Sequence, residues 1–329
     1  MNTDVVHSRC DRRGFFRACA GGLAVAASAI RPALAHRDLT NDARVIAGGP
    51  YIDVHTHIGR VWNTDPPLTE DALLKFMDEH NVIKAVLLPL VSPESSSYLN
   101  TNERALEAAR RRPDRFIPFC CVDPRTSYGG GAKGLRMMIQ EYVDQGAKGF
   151  GEHKAGLPID DPRMKALYAA CADLKLPVLF HCDNERGTDK PGLPGLERVL
   201  KEFATLPFIG HGPGFWASIS ANVAQIDLGG YPKGRVKPGG AIDHLFERYP
   251  NLWGDLSAGS GANALSRDDQ FARDFLIRRA DRLLFGTDYL KPGQDVPQFD
   301  VLARIDLPGA IRAKIERENA AKLLGVKIE

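Results

Sequence analysis

The residues best placed to do chemistry lie in the stretch Ile52-Asp53-Val54-His55-Thr56-His57-Ile58. It has the alternating composition of a short strand. Period-two geometry sends successive side chains to opposite faces. Asp53, His55 and His57 are therefore expected on one face, and Ile52, Val54, Thr56 and Ile58 on the other. Two imidazoles about 7 Å apart along a strand can converge on one ion. The same pattern also fits a strand with two chance histidines, because a short motif has a real false-positive rate. Other apolar runs end in the same way, on His57, Asp123, His181, His211, Asp255 and Asp288. An Asp or His in such a run is costly to bury unless it is paired or binds metal. A divalent ion takes neutral imidazole and carboxylate, and a catalytic site leaves a position open for water.

These residues need a frame that brings strand ends together. The apolar runs are 51–58, 84–91, 116–122, 147–153, 177–182, 208–211, 252–256 and 283–288. Segments of helical periodicity separate most of them, at 68–80, 102–111, 134–145, 162–174 and 195–205. Strand followed by helix, eight times over, is the pattern of a parallel (β/α)8 TIM barrel, an α/β fold whose active site lies at the C-terminal rim of the strands. A doubly wound open sheet is the alternative, but no GxGxxG follows the first run. The segment 212–243 is rich in Gly, Pro and aromatic residues and is expected to cover that rim. Residues 310–324 read as a terminal helix, and 50–329 as a single domain.

Composition narrows the function. The chain has 329 residues, 43% hydrophobic and 26% charged, and a formal net charge of +2. Residues 1–35 hold five Arg and two acidic groups, and removing them leaves 38 basic against 39 acidic residues. That balance argues against a nucleic-acid partner and for a small-molecule substrate. Arg12-Arg13-Gly14-Phe15-Phe16-Arg17, an apolar stretch from Ala18 to Ile30 and Ala33-Leu34-Ala35 together resemble a twin-arginine signal peptide over 1–35. The expectations are a periplasmic or secreted protein, a leader over 36–49, no stable membrane insertion once the signal is removed, and a homo-oligomer as one arrangement. Cys120, Cys121, Cys171 and Cys182 have no CxxC spacing and read as buried small residues.

In their order along the chain, His55-x-His57, His181, His211-Gly212 and Gly286-Thr287-Asp288 resemble the motifs of the amidohydrolase superfamily. The similarity is greatest to the amidohydrolase-related branch, which includes nonoxidative decarboxylases and lactone hydrolases, and it covers residues 50–325. The resemblance implies one or two divalent ions, zinc foremost. It implies His55, His57 and Asp288 as ligands of the first ion, with His181 as a further ligand. His211 would hold a second ion or donate to the substrate oxyanion. Asp288 would also take a proton from the attacking water and pass it to the leaving group. In the fourth run, Ala147-Lys148-Gly149-Phe150-Gly151-Glu152-His153-Lys154, Lys148 comes too early to bridge two ions. The Gly-Glu pair resembles the TatD-like branch, in which a glutamate bridges them. Glu152 is thus the expected ligand, with His153 as the alternative on the opposite face; a plain ion pair from Glu152 to Lys148 or Lys154 is the non-metal reading.

Asp53 and Asp255 are expected to orient ligand histidines. Lys154, Asn184, Trp216 and Arg235 are the candidate substrate contacts, and the cations among them would favour a carboxylate. The leading function is a metal-dependent hydrolase in which activated water attacks an amide, ester or lactone of a small, carboxylated substrate. The alternative is a nonoxidative decarboxylase on the same barrel. A phosphodiesterase or nuclease ranks third, for want of a basic stripe.

Overall fold

The structure is a computed structural model, and it describes residues 48–60, 66–95, 97, 100–127 and 129–328. The signal-like segment and most of the leader lie outside the described residues. Each of the eight apolar runs overlaps a strand, the second strand starting two residues before its run: β1 (Tyr51–Thr56), β2 (Val82–Leu87), β3 (Phe116–Pro118), β4 (Phe150–His153), β5 (Val178–His181), β6 (Phe208–His211), β7 (Leu252–Asp255) and β8 (Leu283–Leu284). They form two parallel ladders, β1-β2-β3 and β4-β5-β6-β7-β8. The seams between the ladders are also parallel. Cys120 bridges Phe150, and Thr56 bridges Tyr289. Across the second seam Val54 N–H donates to the Phe285 carbonyl at 3.0 Å, and Asp288 N–H to the His55 carbonyl at 2.8 Å. The expected barrel is thereby closed.

Helices follow the strands: α1 (Glu70–Glu79), α2 (Asn102–Arg111), α3 (Gly131–Asp144), α4 (Pro162–Asp173), α5 (Pro194–Glu202), the single turn α6 (Pro213–Ala217), α7 (Ala241–Arg248), α8 (Ala258–Ser266) and α9 (Asp269–Arg278). Local sequence sets their starts. Thr69, Thr101, Asp161 and Asp268 each cap an orphan N–H of the first turn, and Pro162 opens α4 where its missing N–H costs nothing. The terminal helix is not continuous. After α10 (Gln298–Arg304) it runs as α11 (Gly309–Ala313), a π-helical turn Lys314–Glu318 and α12 (Asn319–Leu324). Widening the helix there frees the Ile315 carbonyl to accept from Phe285 N–H at 2.9 Å, just past β8.

Ile52, Val54, Val86, Leu88, Ile117, Phe119, Leu179, Ile209 and Leu284 form one cluster. Side chains drawn from so many strands can meet only inside the barrel, where they make the packed floor beneath the rim. This corrects the simple face assignment on β1. Ile52 and Val54 line the interior, and Asp53 turns to the β8 seam. The β1–β2 register shifts between Asp53 and Thr56, so strict alternation is broken before His55 and His57 reach the mouth. Bulges of this kind re-aim side chains next to functional sites.

Candidate metal centre and active site

β1 delivers the first two donors, and their tautomers follow from their partners. His55 Nδ1 lies 2.6 Å from the Asp255 carboxylate, and His57 Nδ1 lies 2.7 Å from the Leu88 carbonyl. Both partners only accept, so each Nδ1 carries the proton and each Nε2 presents a lone pair. These two Nε2 atoms face each other at 3.1 Å. Two carboxylate oxygens join them. Asp288 Oδ1 is 3.4 Å from His55 Nε2 and 3.3 Å from His57 Nε2, and Glu152 Oε2 is 3.5 and 3.6 Å from the same atoms. His55, His57 and Asp288 each offer one atom within 4.8 Å of the others, and so do His55, Glu152 and His211; imidazole nitrogens and carboxylate oxygens so grouped are the donors a first-row divalent ion takes.

The hydrogen bonding agrees. Glu152 Oε2 and Asp288 Oδ1 are buried and accept no hydrogen bond, although the Lys154 ammonium stands 3.0 Å from Glu152 Oε2. Buried carboxylate oxygens without donors are costly, and a bound cation satisfies them. The donors therefore fit a divalent ion, which His55, His57, Asp288 and Glu152 would hold, with His211 grouped beside Glu152. His211 adjoins the set. Its Nδ1 lies 2.9 Å from Ser257 Oγ and 3.2 Å from Asp255, leaving Nε2 turned to Glu152 Oε1 at 3.5 Å.

Local structure explains how Glu152 arrives. Gly151 has φ +138°, and a side chain there would collide with the Leu179 carbonyl of β5. Only glycine allows the backbone this close approach. Glu152 then points into the site. His153 points away, its Nε2 2.9 Å from the Met164 sulfur of α4. Asp288 has φ +56°, a left-handed conformation that Asp tolerates better than most residues.

Burial and charge pull against each other here. Burial alone would lower the pKa of His55, but Asp288, Asp255 and Glu152 together raise it well above the ordinary value. Burial would raise Asp255, yet His55 and His211 hold it far below the carboxylate range. Burial and the neighbouring His55 lower the pKa of His211. Asp53 is pushed up to about 7 by burial, against hydrogen bonds from Thr287 and His55.

The remaining expected residues divide. His181 lies outside the four-atom cluster. Its Nδ1 is 2.9 Å from Glu152 Oε1 and its Nε2 is 2.9 Å from Asp183 Oδ2, so carboxylates take both ring nitrogens. Lys154 is buried beside Glu152. Trp216 is 1% exposed and spends its indole N–H on the Asp255 carbonyl at 2.8 Å. Its place is beneath the rim. Asn184 exchanges hydrogen bonds with Gln225. The Arg235 side chain is 82% exposed and pairs with Asp268. Both therefore hold the long loop over 212–240 rather than face the donors. Asp255 orients His55 as expected. Asp53 instead accepts from His55 N–H, Thr287 N–H and Thr287 Oγ1, so it fixes backbone and not an imidazole. Cys120, Cys121, Cys171 and Cys182 are buried free thiols.

Sequence reasoning passed over Asp183 and Ser257. Each stands two residues after a residue it did single out, His181 and Asp255. The spacing that identified His55 and His57 would have found both.

Comparison with known proteins places this geometry. A family model described as Amidohydrolase matches residues 52–326. No curated protein matches the chain. Three solved structures are similar in fold. An uncharacterised TIM-barrel protein from Bordetella bronchiseptica has 19% identity and a TM-score of 0.60, over 84% of this chain and 98% of that one. A probable 2-pyrone-4,6-dicarboxylic acid hydrolase from Acinetobacter baumannii, with citric acid bound, has 15% identity and a TM-score of 0.56, over 84% and 100%. The 5-carboxyvanillate decarboxylase of Novosphingobium aromaticivorans, complexed with manganese, has 14% identity and a TM-score of 0.54, over 85% and 99%.

Proposed function

The chain belongs to the amidohydrolase family, and on that premise we propose that it is a metal-dependent hydrolase of a small carboxylated amide, ester or lactone. The observation that carries the proposal is the clustering of buried imidazole and carboxylate donors around His55, with His57 and Asp288 on one side and Glu152 and His211 on the other, and with Asp288 Oδ1 buried and accepting no hydrogen bond. A divalent ion held by His55, His57, Glu152 and Asp288 supplies a Lewis acid that polarises water and the scissile carbonyl. The protein does the rest. Asp288, at the mouth, accepts the proton of the attacking water and returns it to the leaving group. His211, its Nε2 turned to Glu152, stands beside the donors as a further ligand. Lys154 offers a cation to a substrate carboxylate. Zinc is the proposed ion, because the donors are two imidazoles and two carboxylates in a four-atom set; manganese is its rival.

A second reading, a nonoxidative decarboxylase, draws support from the Lys154 ammonium 3.0 Å from Glu152. A cation there would hold the carboxylate that is lost. The similarity in fold to a manganese-bound decarboxylase suggests the same test. The full chain should contain about one equivalent of a divalent ion by elemental analysis, and chelation should abolish activity on a panel of lactones, esters and carboxylated aromatics. Release of acid without CO2 supports hydrolysis. Release of CO2 or labelled bicarbonate assigns the lyase. Full activity without metal rejects both readings. We also propose export by the twin-arginine route for residues 1–35, tested by cell fractionation of the chain with Arg12 and Arg13 changed to Lys.

A further inference from the structure

The loop between α6 and α7 was not needed to build the metal centre, yet it is tied down on both sides of the mouth. On the β5 side, Gln225 Nε2 donates to the Asn184 side chain at 3.0 Å, and the Gln225 carbonyl accepts from Asn184 Nδ2 at 3.1 Å. Leu228 behind it is fully buried. On the β7 side, Arg235 pairs with Asp268, and Arg267 Nε donates to the Gly234 carbonyl at 2.8 Å. Tyr231 lies between these two anchors.

Its ring is not packed into the core. Tyr231 is 55% exposed, one of few large apolar side chains left so among the described residues. Yet its position is defined. A side chain at Gly259, just past the end of β7, would meet the Tyr231 ring and hydroxyl at 3.2 Å. The phenol thus lies across the first turn of α8, close enough that a Cβ at Gly259 would press on it. Partial burial and the Asp288 carboxylate raise its pKa, and the Lys154 ammonium opposes them. Geometry places the hydroxyl at the same rim: Gly259 lies two residues beyond Ser257, whose Oγ is 2.9 Å from His211 Nδ1 and 3.2 Å from His55 Nδ1.

We infer that Tyr231 is a specificity-determining residue of this site, its hydroxyl donating, beside Lys154, to the anionic group of the bound substrate. The inference deepens the proposed function by adding a second donor for the substrate carboxylate. The loop, anchored on its β5 and β7 sides, holds the phenol at the rim before substrate arrives, so little ordering is lost on binding. The exposed ring face leaves a planar substrate body a surface to stack on.

Binding, not turnover, tests it, so failure of the reaction assignment would leave the result readable. Isophthalate and its uncharged diamide are titrated calorimetrically into the purified full chain, with metal content measured on the same samples. The wild type should prefer isophthalate. Tyr231→Phe should weaken isophthalate about tenfold, the scale of one hydrogen bond to a charged group, and leave the diamide and the metal content unchanged. Tyr231→Leu should weaken both probes, through loss of the ring. No preference for isophthalate in the wild type overturns the inference. So does a Tyr231→Phe change under twofold, an equal loss for both probes, or loss of metal in Tyr231→Phe.

Discussion

His57 and His181 stand at the ends of different strands and look alike in sequence, yet the structure equips them for different work. The Nδ1 of His57 faces a backbone carbonyl at 2.7 Å, which leaves Nε2 as a lone pair directed at three other donors. Both nitrogens of His181 face carboxylates at 2.9 Å. One ring is prepared to bind a cation. The other grips Glu152 by the oxygen that the donor cluster does not use. The atom across from Nδ1, more than position on a strand, decides what a rim histidine does.

The largest effect should come from Asp288, which serves both as donor and as proton carrier. Asp288→Asn keeps the shape but removes the base, and kcat should fall by about 10³-fold with an unchanged far-UV spectrum. Near-normal turnover would remove Asp288 from the mechanism. The two histidines come next. His57→Ala should purify with little metal, whereas His181→Ala should retain most of it and lose activity instead. Equal loss of metal from both variants would break the comparison and make His181 a ligand. Asp255→Asn should loosen the metal by about 10- to 100-fold, through the freed His55 ring, as read by competition with a chromophoric chelator. The smallest effect concerns Asp183. Burial raises its pKa, but the His181 hydrogen bond and charge outweigh this and bring it to about 2. A carboxyl lowered on folding contributes stability above its unfolded value of ~3.9 and loses it as pH falls through the folded value. In urea melts, the deficit of Asp183→Asn against wild type should be full at pH 6 and should close between pH 4 and pH 2. A gap independent of pH would mean that the His181–Asp183 pair carries no charge.

Much of this was readable because the rim repeats one device. His55 and His57, Glu152 and Lys154, His181 and Asp183, Asp255 and Ser257 are each two residues apart at the end of a strand. Period two puts both members of a pair near one face, and the apolar run before each pair marks the strand. The runs overstate the strands for the same reason. β8 ladders only over Leu283–Leu284, because the chain from Phe285 to Asp288 turns its N–H groups to Ile315, Asp53 and His55. The role of Asp53 was not readable, since a register shift carries no compositional mark. Nor was that of Tyr231. It sits in a loop without periodicity, and the glycine its ring lies against is nearly 30 residues along.

The bond from Thr287 to Asp53 joins residues 234 apart in sequence, and the donors His55 and Asp288 straddle the same seam. No fragment lacking either end of the barrel can hold the complete cluster. Closing so long a loop is slow and is rewarded only when the last strand docks. Assembly of the ion site therefore requires that closure, and the ability to retain metal reports that the first and last strands have met.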